Sequence, residues 1–150
     1  MNATSKMVAL LGELRREMNG AVVDSMREKG IEYALSYGVS IPTIRALARQ
    51  YAPDDELARL LYQQQVRELR LAALHIAQAE AITMEELPTW AEGVINSEIA
   101  EEIAFALLPH TTILSDIFAA WSESDNEFLV YATLMVAARS ELARDTNIVN

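Results

Sequence analysis

Val66-Arg67-Glu68-Leu69-Arg70-Leu71-Ala72-Ala73-Leu74-His75-Ile76-Ala77-Gln78-Ala79 is the stretch that decides the fold. Leu69, Ala72, Ala73, Ile76 and Ala77 recur at three- and four-residue spacing, which puts them on one face of an α-helix. The alanines on that face let a neighbouring helix approach closely. Sixty residues on, Tyr131-Ala132-Thr133-Leu134-Met135-Val136-Ala137 repeats the Ala, Leu and Ala of Leu71-Ala72-Ala73-Leu74-His75-Ile76-Ala77 in the same places. Helices that recur at intervals point to stacked α–α units, each burying a face against the next.

The rest of the chain reads the same way. Met7, Leu10, Leu11, Leu14 and Met18 make a helical face that ends at Asn19-Gly20. A second helix runs from about Ala21 to Lys29 and stops at Gly30. Ser40-Ile41-Pro42 is a start signal, because proline is tolerated in a helix's first turn. Ile44, Leu47, Ala48 and Tyr51 face inward from that helix, and Pro53-Asp54-Asp55 opens the next. Thr83-Met84-Glu85-Glu86 and Ser124-Asp125-Asn126-Glu127 both read as capping boxes, in which a hydroxyl and a carboxylate satisfy free backbone N–H groups. Asn96-Ser97 caps a helix with Ile99, Ile103, Ala106 and Leu107 inside. From Phe128 to Ala138 the helix is apolar all round, which predicts that neighbours sandwich it. The expectation is one all-α domain over residues 1–150, an α–α superhelix of HEAT-like or armadillo-type repeats, with residues 145–150 frayed.

Charge is distributed unevenly. Residues 1–70 hold ten basic and nine acidic side chains, a net of +1. Residues 71–138 hold none and eleven, a net of −11, and the last twelve balance at two and two. A nucleic-acid surface is built largely of Lys and Arg that neutralise phosphates. The acidic stretch therefore argues against nucleic acid as a partner, and against an anionic membrane surface. The absence of cysteine removes disulfides, thiolate metal sites and thiol nucleophiles together. With no signal-peptide core and no span of ~20 apolar residues, a cytoplasmic location is expected.

Three segments resemble the AlkD family of alkylpurine DNA glycosylases. Tyr37-Gly38-Val39-Ser40-Ile41-Pro42-Thr43-Ile44-Arg45 is similar to that family's turn of Gly-Val, Pro and an Arg-bearing helix. Arg67-Glu68-Leu69-Arg70-Leu71-Ala72-Ala73-Leu74 resembles its Glu-x-Arg-x-x-Ala helix. Trp121, followed by the capped helix at Phe128, completes the order. The resemblance implies the HEAT-like scaffold. It also implies three functional positions: an aromatic, a carboxylate one turn on that faces the lesion, and an arginine against DNA in a later helix. These fall on Ser97, Glu101 and Tyr131, with Glu102 in place of Glu101 if the register shifts by one. The aromatic and the arginine are absent, so the resemblance implies the scaffold without carrying over the activity.

The chemistry-bearing residues have plainer readings. Glu98, Glu101 and Glu102 share a helix side and could form a metal or general-base cluster, but acids in a first turn are also stabilised by the helix dipole. His75 and His110 stand apart from other ligand types, so no metal and no cofactor is expected. No nucleophile-elbow or phosphate-loop pattern occurs. Arg45, Arg49, Arg67 and Arg70 form the candidate basic patch, with ion pairs to nearby acids such as Glu68 as the competing reading. The functional expectation is a non-catalytic interaction module. Its partner would be a protein or a second copy of the chain, docked through Trp121, Phe128, Tyr131 and Met135. The alternative is a divergent DNA glycosylase that excises alkylated purines, with Glu101 stabilising positive charge on the sugar.

Overall fold

A computed structural model describes the backbone of residues 1–149 and the side chains of residues 1–139. The described residues form nine α-helices and no strand, with an isolated parallel bridge between Leu35 and Val66. The fold class is all-α, as the helical spacing predicts. The chain divides into two compact units, Met1–Gln78 and Ala79–Asn150. No helix among the described residues is long and apolar enough to cross a membrane.

The first unit contains α1 (Ala3–Arg15), α2 (Gly20–Glu28), α3 (Ile41–Arg49), α4 (Asp55–Tyr62) and α5 (Arg67–Ile76). α1 stops at Arg15, short of the expected Asn19, because Asn19 is used elsewhere. Its side chain accepts from the Ala21 N–H to cap α2, and its own N–H donates to the Tyr37 carbonyl at 2.9 Å. α3 begins where Ser40-Ile41-Pro42 predicts, with Ser40 Oγ accepting from the Thr43 N–H. Asp54 caps α4 through the Leu57 N–H, and its other carboxylate oxygen takes a 2.6 Å hydrogen bond from Lys6 of α1. The Asp54 N–H donates to the Ile76 carbonyl, and Asp55 accepts from the Gln78 N–H, so the start of α4 is tied to the end of α5.

α5 is the most deeply set helix, packed against both α3 and α4. All of its residues but His75 are buried. Burying Leu71, Leu74 and Ile76 stabilises the unit by roughly 1.5–3 kcal/mol each. At its first turn Glu68 reaches back to the chain ahead of α3. Its carboxylate accepts the N–H groups of Tyr37 (3.0 Å) and Val39 (3.2 Å) and a 2.7 Å bond from Arg67. Arg67 in turn donates to the Val39 carbonyl at 2.6 Å, and its backbone N–H donates to Leu35. Gly38 sits inside this clamp at φ +72°, where a Cβ would lie 1.9 Å from the Asn19 carbonyl oxygen. Only glycine fits there.

The second unit holds α6 (Leu87–Glu92), α7 (Ser97–Ala106), α8 (Leu114–Trp121) and α9 (Glu127–Val149), with 3-10 turns at Ala79–Ala81 and Leu108–His110. The two expected capping boxes form differently. Glu86 does accept from the Thr83 N–H at 3.1 Å, but the helix starts only at Leu87. Ahead of α9 the cap is Asn126, which accepts from the Phe128 N–H, while Ser124 accepts from the Asn126 N–H. Asn126 also donates to the Val94 carbonyl ahead of α7. That bond ties the start of α9 to the chain entering α7, as Glu68 ties α5 to the chain entering α3.

The expectation that neighbours sandwich Phe128 to Ala138 is corrected. Only Leu129, Ala132, Thr133 and Val136 are buried there, a single stripe at i, i+3, i+4 and i+7, whereas Tyr131 and Leu134 face out. The expected fraying of residues 145–150 falls where side chains lie outside the described residues.

Two outcomes follow from the clamp and the α4 cap. Glu68→Ala leaves Arg67 buried without its counter-charge and is expected to cost about 3–5 kcal/mol in urea unfolding. Gly38→Ala should cost more than Gly30→Ala, because both have positive φ but nothing lies within 4 Å of a Cβ at Gly30. Equal costs would dismiss the close approach to Asn19.

The Asp54 carboxyl is held below its ordinary 3.8, chiefly by the Lys6 hydrogen bond and then by the Leu57 N–H. A lowered folded value means that its stabilisation is complete above about 3.8 and is lost as pH falls through the folded value. Thermal melts at a series of acid pH values should show a shallower loss for Asp54→Asn than for the parent.

Candidate functional site

α7 and α9 carry the residues that the resemblance singles out. Asn96 caps α7 through the Ile99 N–H, which makes Ser97 the first helical residue and turns Ile99, Ala100, Ile103 and Ala104 into the core. The outer face then reads Ser97, Glu101 and Phe105, one turn apart, with Glu101 and Phe105 exposed. α9 lays its Leu129, Ala132 and Val136 stripe into the unit's core and packs against α7. Tyr131 is left at the rim, and its hydroxyl donates to Glu101 Oε1 at 3.0 Å. Two turns later the Arg139 guanidinium lies 5.2 Å from the centre of the Phe105 ring. Both contacts advance together along the two helices, so α7 and α9 run parallel, with α8 as the return.

The structure therefore brings Glu101 and Tyr131 together across thirty residues, with Ser97 one turn away on the same helix. The hydrogen bond to the Glu101 carboxylate raises the Tyr131 pKa above its ordinary 10.0, and the carboxylate's charge adds to this. Both groups are open to water. Glu102, the alternative in a shifted register, is buried on the other side of α7, so the helix splits the acidic trio. Solvent around an exposed carboxylate screens its field, as it would not in a water-excluded site. As it stands, this carboxylate is a weak electrostatic group.

The basic patch divides. Arg67 is 2% exposed and spends its Nη1 on the Val39 carbonyl and Glu68. Arg70 donates to the Tyr62 and Gln64 carbonyls and lies 5.7 Å from the Tyr62 ring centre. Both are corrected from binding candidates to parts of the scaffold, because their donors close the ends of α4 and the turn before α3. Arg45 and Arg49 lie one turn apart on α3, outside its buried Ile44 and Ala48, with Arg49 exposed and Arg45 half-buried.

Among the interface candidates, Trp121 is corrected to a core residue, buried at 3%. Phe128 and Met135 are half-buried, and Tyr131 is exposed. Sequence reasoning missed Phe105 and Arg139. Phe105 follows Ser97 and Glu101 at i+8 and i+4, and that spacing was the available signal.

Charge follows the division into units. Residues 1–78 hold ten basic and nine acidic side chains, for +1; residues 79–150 hold two and thirteen, for −11.

A model of the family described as DNA alkylation repair enzyme matches residues 10–147. No curated protein matches the sequence. A solved structure superposes with a TM-score of 0.76 and 20% identity, covering 91% of this chain and 56% of that one. It comes from work described as "A new family of proteins related to the HEAT-like repeat DNA glycosylases with affinity for branched DNA structures". The HEAT-like fold is thereby shown, and this chain spans little more than half the length of that protein. These findings overturn the reading that set nucleic acid aside as a partner. That reading summed charge along the chain, and such a sum cannot tell a protein's faces apart.

The Tyr131–Glu101 contact can be tested by titration. The Tyr131 ring carbon signal in NMR should move at a higher pH than that of free tyrosine, and Glu101→Gln should bring it back towards 10.0. An unchanged midpoint in the variant would dismiss the contact.

Proposed function

Because the chain belongs to the DNA alkylation repair enzyme family, we propose that it is a non-catalytic interaction module that recognises DNA structure without excising bases. One observation carries this reading: the carboxylate at the family-equivalent position is exposed and engaged by the Tyr131 hydroxyl. Excision of an alkylpurine breaks the bond from base to sugar and develops positive charge on the sugar. Water around an exposed carboxylate screens its field at that developing charge. Pre-organised groups in water-excluded sites supply about a hundredfold or more. Ser97 adds no aromatic surface to hold a displaced base. The affinity for branched DNA described for the structural relative supports a role in which binding itself is the activity.

Phosphate contact falls to the first unit. Arg45 and Arg49 offer two guanidinium groups one turn apart on α3, the helix that the Glu68 clamp orients. Each phosphate neutralised contributes about 0.9 to the slope of log affinity against log salt.

The test pairs binding with base release. A four-way DNA junction is expected to bind more tightly than a linear duplex of the same length. The Arg45→Ala, Arg49→Ala double variant should weaken both complexes and lower the salt slope by up to about 2. Methylated duplex should release no base. Release that disappears in Glu101→Ala would replace this reading with the divergent glycosylase, and no binding to either DNA would overturn it outright.

A further inference from the structure

The two units place different chemistry at equivalent positions. α3 and α7 are each opened by a side-chain cap, Ser40 and Asn96, so the helices can be counted from the same start. On that count Arg45 corresponds to Glu101, and Arg49 to Phe105. One unit presents guanidinium groups on this face, and the other presents a carboxylate and an arene. A second arene, Tyr131 at 38% exposure, stands on the same rim, held by Glu101. Phe105 is itself 46% exposed, a large apolar area for water to cover, and Arg139 lies over its ring.

Resting on the DNA-binding reading, we propose that Phe105, with Arg139 above it and Tyr131 beside it, is a stacking platform for an unpaired nucleobase at a strand branch. Charge favours this occupant. Glu101 is exposed one turn from Phe105 on the same face, so this rim repels phosphate locally. The faces of unpaired bases are uncharged, and bases stack on arenes and on planar guanidinium groups. A branch point supplies such bases, whereas a continuous duplex keeps its bases stacked on each other. The division of labour is then chemical: the first unit's arginines take phosphate, and the second unit reads the loss of base stacking. Arg139 contributes twice, as a planar group over the arene on which a base can also stack and as one positive charge on a rim that carries the exposed Glu101.

The experiment places 2-aminopurine at an unpaired position of a DNA junction and follows its fluorescence, which falls when the base stacks. The parent protein is expected to quench it. Phe105→Leu keeps the surface apolar but removes the arene, and should abolish the quench. It should also cut the preference for junction over duplex by about tenfold while duplex affinity stays within about twofold. Arg139→Lys keeps the charge without the plane and should lie between. Both side chains are exposed, so folding is checked simply by circular dichroism and melting temperature.

Junction binding that survives Phe105→Leu with quench and preference unchanged would overturn this inference and leave the DNA-binding reading standing. Absence of DNA binding by the parent protein removes both. If light scattering shows a dimer that Phe105→Leu dissociates, the face belongs to a second copy of the chain, and the platform is overturned.

Discussion

The first unit depends on one buried ionic contact. Glu68 and Arg67 are adjacent in sequence, yet both point into the protein, where they bind each other and the backbone of Tyr37 and Val39. Burying two charges is costly, and it is tolerated only where the pair is close and its remaining donors and acceptors are satisfied. Here the backbone ahead of α3 satisfies them. The same contact therefore fixes the direction in which α3 leaves the turn, and with it the placement of Arg45 and Arg49. Gly38 lets the turn press against Asn19, which in turn caps α2. Three helices, α2, α3 and α5, are joined by this one cluster.

The second unit solves the same problem with a neutral group. Asn126 caps α9 and reaches the Val94 carbonyl ahead of α7, so a single amide joins the start of one helix to the entry of the other. The outward positions of α3 and α7 lie outside the buried residues of their helices. They hold arginine in one unit and Glu101 and Phe105 in the other. In solenoid proteins each repeat packs only against its neighbours, and the surface that the stacked repeats leave exposed is the one used for binding.

Exposure decides what those outer residues can do. The Glu101–Tyr131 pair has hydrogen-bond geometry that an enzyme could use, but water surrounds it and screens its field. The Arg139–Phe105 pair is exposed in the same way, and exposure is what the proposed stacking of a base requires.

Much of this was written in the chain. Period-3.6 spacing marked the helices, Ser40 and Asn96 marked two helix starts where they are found, and the change in charge near residue 70 lies close to the boundary between the units. The Ala-rich face of Val66–Ala79 marked a helix suited to close packing, but that this helix, and not Phe128 to Ala138, is the most deeply set came from the structure. Other features came only with the tertiary structure. Arg67 and Arg70 lie about a turn apart, as Arg45 and Arg49 do, yet both are enclosed. Phe128 to Ala138 is apolar on every side, yet it buries a single stripe. Tyr131 meets Glu101, and Arg139 meets Phe105, across thirty residues or more. The reason is geometric. Residue spacing records how a side chain is turned about its own helix axis. Whether a second helix or water lies in that direction depends on where the turns send the chain, and contacts between distant segments settle it.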